Sequence, residues 1–66
     1  MANRIKFVRV LVVNDTIFKI VVAYKKGGHD NYYSEQDLPE AAKRFIQDSM
    51  SEKLADCGDT YQLLFK

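Results

Sequence analysis

Few residues in this 66-residue chain have chemistry to offer. His29, the single histidine, precedes Asp30 and follows Gly27-Gly28. A carboxylate can orient an imidazole as a general base, so His29-Asp30 is the one acid–base candidate. Beside two glycines, a solvated turn is the simpler reading of the same pair. Cys57, the single cysteine, adjoins Asp56. A reactive thiolate needs neighbouring cations or a helix N-terminus. Cys57 has neither in the sequence, and no nucleophile is expected there.

Other arrangements fail on spacing. Glu52 and Asp56 stand one helical turn apart, which describes a solvated helix face as readily as a metal site. Gly27-Gly28 lacks the Gly-x-x-x-x-Gly-Lys spacing of a phosphate loop. The residue after Met1 is Ala2 and the only proline is Pro39, so there is no N-terminal proline base. One cysteine and one histidine make neither a disulfide nor a Cys/His zinc site. We expect no catalytic residue, no cofactor and no metal.

The elements that would position any site are clearer. One α+β domain spanning residues 1–66 is expected from the length. Ile5 to Val13 and Thr16 to Lys25 are rich in β-branched residues and are joined by Asn14-Asp15. Both turn residues tolerate the left-handed region, which predicts a β-hairpin. In the simplest register Val12 pairs with Ile17, Leu11 with Phe18, Phe7 with Val22 and Ile5 with Tyr24. Gly27-Gly28 turns the chain toward a short third strand over His29 to Tyr33. Ser34 to Pro39 opens a helix, with Asp37 the preferred cap.

Leu38, Ala41, Ala42, Phe45, Ile46, Met50 and Leu54 then recur at helical spacing. Gly58 reads as the helix stop, and Thr60 to Phe65 as a last strand. The architecture is ββ(β)αβ: a small antiparallel sheet with one amphipathic helix on one face. The last strand is placed beside the first, parallel to it, through a helical crossover.

The hairpin is apolar at odd and even positions alike, so both of its faces are apolar. One face collects Ile5, Phe7, Leu11, Phe18, Ile20, Val22 and Tyr24, with Arg9 as its only charge, and is assigned to the helix. The other collects Val8, Val10, Val12, Ile17, Val21 and Ala23, with Lys6 and Lys19. A β-bulge near Val8-Arg9 would turn Arg9 outward and shift this sorting by one residue. One helix covers one face, so the second face is left without intrachain cover, a feature that marks interaction sites.

Charge is uneven. Met1 to Lys26 carries six basic residues against one acid, and Gly27 to Lys66 four against eight. The expectation is a non-catalytic protein–protein interaction module. It would be an accessory or inhibitory factor of the kind common in viruses and mobile elements. It would act on another protein or on itself, as a homo-oligomer, through Val8, Val10, Val12, Ile17 and Val21 with Lys6 and Lys19 at the rim. The alternative is a nucleic-acid-binding module using the basic hairpin. A lone cysteine suits the cytoplasm. Arg4, Lys6 and Arg9 interrupt the early apolar residues, so neither a secretory leader nor a membrane partner is expected.

Overall fold

The computed structural model describes residues 4–66, apart from the side chains of Ala55 and Asp56. Met1 and Ala2 lie outside the described residues. In chain order the elements are β1 (Ile5–Val13), β2 (Thr16–Tyr24), β3 (His29–Tyr32), a 3-10 turn (Glu35–Asp37), α1 (Glu40–Asp48), β4 (Ser51–Cys57) and β5 (Thr60–Phe65). The strands form one sheet in the order β3-β2-β1-β5-β4. Every neighbouring pair is antiparallel. This is the expected α+β class, with one strand more than expected.

The β1–β2 turn forms as its residues dictate: Asn14 and Asp15 both take positive φ, 52° and 61°. Such a turn carries the twist that antiparallel strands need. The hairpin that follows it is not simple. Val12 faces Ile17 and Ile5 faces Tyr24, but between them Leu11 faces Lys19 and Phe7 faces Ala23. Phe18 is an extra residue on β2, and Lys6 is an extra residue on β1. The two bulges lie on opposite strands and cancel at the ends. Over the middle of the hairpin the register moves by one residue, which exchanges the faces of β1 relative to β2.

That exchange decides the core. Val8, Val10 and Val12 join Ile20 and Val22 on the helix side, with Ile5, Leu38 and Ala42. Phe7 and Leu11 leave it. The face sorting expected above is therefore corrected for β1. Its partner-contact residues Val8, Val10 and Val12 are 0 %, 6 % and 5 % exposed, because they pack under α1. Each buried Val or Ile contributes on the order of 1.5–3 kcal/mol.

The helix is shorter than its apolar stripe suggests. It ends at Ser49, whose hydroxyl donates to the Phe45 carbonyl. Such local bonding competes with the backbone ladder. Met50 is 83 % exposed, and Leu54 lies in β4. Gly58 has φ 63°, as a helix stop requires, but here it turns the β4–β5 hairpin. One left-handed glycine serves either end. Because β4 reverses the chain, β5 reaches β1 antiparallel and not by a parallel crossover. At the helix entry Ser34, not Asp37, supplies a cap. Its Oγ accepts from the Gln36 N–H at 3.2 Å at the 3-10 turn, while Pro39 precedes α1 with no side-chain cap.

A side-chain bond ties β2 to β3: the Tyr24 hydroxyl donates to the Asp30 carboxylate at 2.8 Å. That bond first, then burial and the charge of Asp30, push the Tyr24 pKa up from 10.0 to about 12. A folded value above the unfolded one means stabilisation that is complete below the unfolded pKa. It is lost as pH rises through the folded value. Urea unfolding followed against pH should show this part of the stability intact to pH 10.0 and lost on approach to about pH 12. Tyr24→Phe should abolish that part of the decline.

The face exchange gives a second, sharper expectation. Val10→Lys places an ammonium under α1 and should prevent folding. Leu11→Lys, one residue away on the open face, should leave the circular dichroism spectrum unchanged. The opposite result would restore the simple register.

Candidate interaction face

The helix occupies one side of the sheet, and among the described residues nothing covers the other. Strand registers place its side chains in rows. One row runs Asn31 (β3), Val21 (β2), Arg9 (β1), Leu64 (β5), Glu52 (β4). The next runs Lys19, Leu11, Gln62, Leu54. Phe7 and Ala23 extend the face on one side, Val13 and Thr60 on the other.

The centre of this face is apolar and half-buried: Phe7, Leu11, Val13, Val21, Ala23 and Leu64. Half-burial here comes from neighbours along the sheet, since no second layer lies above them. Arg9 is exposed, and its guanidinium sits over the Phe7 ring at 5.4 Å from the centroid. The bulge residue Phe18 is 59 % exposed and Tyr33, just past β3, is 64 % exposed.

The expected contact residues divide. Lys19 and Val21 lie on the open face, and Lys6 is exposed at its bulge. Val8, Val10 and Val12 are core, and Ile17 packs half-buried against that core. The open face instead gains Phe7, Arg9, Leu11, Val13, Leu64 and Glu52. Arg9 was the available signal: a charge without an acidic companion on a helix-covered face marks a sorting error of one residue.

The acid–base candidate does not assemble. His29 faces Ala23 and Asp30 faces Val22, so the two side chains point to opposite sides of β3. Asp30 accepts from Tyr24. Cys57 is exposed in β4, and the Asp56 side chain beside it lies outside the described residues. Among the described residues no group of three His, Cys, Asp or Glu could hold a metal ion. No described helix is long and apolar enough to cross a membrane.

On the covered side, the nine-residue helix leaves part of the sheet open. A groove of about 460 Å³ runs beside it, lined by Ile17, Leu38, Ile46, Tyr61, Leu63 and Phe65 among others. Lys53 sits near its edge, with Nζ 4.3 Å from the Tyr61 ring centroid. A volume of this size lies within the range of small-molecule pockets, but the groove contains no converging buried polar groups to orient a ligand.

Comparison of the chain with protein-family models, with curated proteins and with solved structures found no match.

Proposed function

We infer that the protein is a small binding module that acts by docking the open sheet face on a protein partner. The observation that carries this reading is the five-stranded sheet with an apolar centre on the side away from its only helix. Five strands at about 4.8 Å spacing, from about 13 Å long for β3 to about 30 Å for β1 and β2, present a face of roughly 550 Å². Phe7, Leu11, Val13, Val21, Ala23 and Leu64 are the apolar part of that face, and contiguous apolar surface of this kind marks interaction sites. Lys19 and Glu52 stand to the sides of the patch, and Arg9 stands within it on β1, its guanidinium over the Phe7 ring. Nothing in the reading requires catalysis.

A second reading has one observation in its favour. Phe7 shares the open face with Arg9 and Lys19, and Phe18, the extra residue next to Lys19, is 59 % exposed. Aromatic side chains beside cations can stack unpaired bases. Against it, the centre of the face is aliphatic, Glu52 shares the face, and the net charge is only +1. A single-stranded oligonucleotide labelled for fluorescence anisotropy separates the two. Binding at low salt that falls steeply with added salt would support the nucleic-acid reading. No binding at low salt ends it.

The protein-binding reading is tested by a photo-crosslinking residue placed at Val21 or, on the helix, at Gln47, in the cells that make the protein. A discrete protein adduct is expected from position 21 and not from 47, and Leu11→Lys should abolish it. No adduct from position 21, or equal adducts from both, would overturn the reading.

A further inference from the structure

The open face carries its own complement. Its cations, Arg9 and Lys19, stand on β1 and β2, and its acid, Glu52, stands on β4. Leu11 and Leu64 lie between them on β1 and β5. Two such faces attract if one is turned so that its acid side meets the other's basic side. Resting on the reading of this face as a protein interface, we propose that its occupant is a second copy of this chain, stacked face to face about a two-fold axis parallel to the strands between β1 and β5.

The geometry follows from the strand order β3-β2-β1-β5-β4. A half-turn about that axis lays β1 over the partner's β5 and β2 over the partner's β4. Facing sheets pack about 10 Å apart with interdigitating side chains. Glu52 then enters above the partner's Val21, between the partner's Arg9 and the partner's Lys19. Symmetry repeats the contact, since in a two-fold interface each pairing occurs twice. Leu64 enters among the partner's Phe7, the partner's Arg9 and the partner's Leu11, and brings apolar surface to the centre.

Area and charge agree with this occupant. Four strands of each copy overlap, since β3 lies beyond the partner's β4; at about 500 Å² each the two faces bury roughly 1,000 Å², about the least that a specific interface shows. A net charge of +1 per chain adds little repulsion between copies. The helix side of each copy stays outside, so the pair is closed and presents no second open face.

Light scattering on a sizing column across a range of concentrations gives the first result. The mass should rise toward twice the 7.6 kDa of one chain. Arg9→Glu and Glu52→Arg should each weaken dimerisation about tenfold, two lost ion pairs and new like-charge contacts acting together. The doubly reversed chain, Arg9→Glu with Glu52→Arg, should regain wild-type affinity. Circular dichroism of each variant confirms that the fold is kept.

A wild-type mass of one chain at about 1 mM, weaker than a 4 kcal/mol association, would overturn the proposal. So would a dimer indifferent to both charge reversals, which would place its interface elsewhere. Either failure leaves the docking reading standing if position 21 still crosslinks to a different protein. Both fall if position 21 crosslinks to nothing.

Discussion

The offset pairing of β1 with β2 governs this molecule. Two extra residues, Phe18 on one strand and Lys6 on the other, move the middle of the hairpin by one position and return it at the ends. Because side chains alternate along a strand, a single step exchanges the sides of the middle of β1, while Ile5 before the first bulge keeps its place opposite Tyr24. It puts small branched valines under the helix and sends Phe7, Arg9 and Leu11 to the open side. A nine-residue helix can pack closely on a smooth bed of valine. The same helix could not cover Phe7, Arg9 and Leu11 without burying a guanidinium.

The remaining layers adapt to that bed. Leu38 and Ala42 seal its centre, while Phe45 and Ile46 pack around it half-buried. Tyr61, Leu63 and Phe65 of β5 extend the same side past the reach of the helix, which is why a groove remains there. Only eight residues are buried among those described, all between the helix and one side of the sheet. A chain of this size has little margin on such a core alone, and the uncovered side is the place where more apolar burial is available.

Much of the architecture was legible in residue types. Asn14-Asp15 announced the first hairpin, Gly27-Gly28 the turn into β3, and Thr60 to Phe65 the strand that flanks β1. The open second face was legible too, because the hairpin is apolar at both parities and only one helix was in view. Its membership was legible only in part: Arg9 pointed to a bulge near Val8-Arg9 and a one-residue shift, but the extra residues are Lys6 and Phe18. A bulge is decided by packing on both faces at once and leaves no mark at Phe18 or Lys6. β4 was hidden for a different reason: Ser51–Cys57 holds one large apolar residue, Leu54, at a spacing that also continues the helical stripe. Its strand character comes from pairing with β5, a tertiary effect that outweighs a weak local preference.

The position of β1 has a consequence for how the chain acquires its structure. β1 is the first strand in chain order and β5 the last, yet they are neighbours. Val8 pairs with Phe65, at nearly the full span of the chain. Until β5 has been made, one edge of the most apolar strand has no hydrogen-bonding partner. The β1–β2 hairpin closes locally and early, but the β1–β5 ladder must wait for the largest loop closure in the fold, and such long-range pairing is slow. The Asn14 N–H donates to the Asp59 carbonyl at 2.9 Å, joining the two hairpin turns. Once both hairpins exist, that contact can align them, and the ladder can zip from the turns toward Val8 and Phe65. During the wait, the β1 edge is the part of the chain most open to pairing with another molecule.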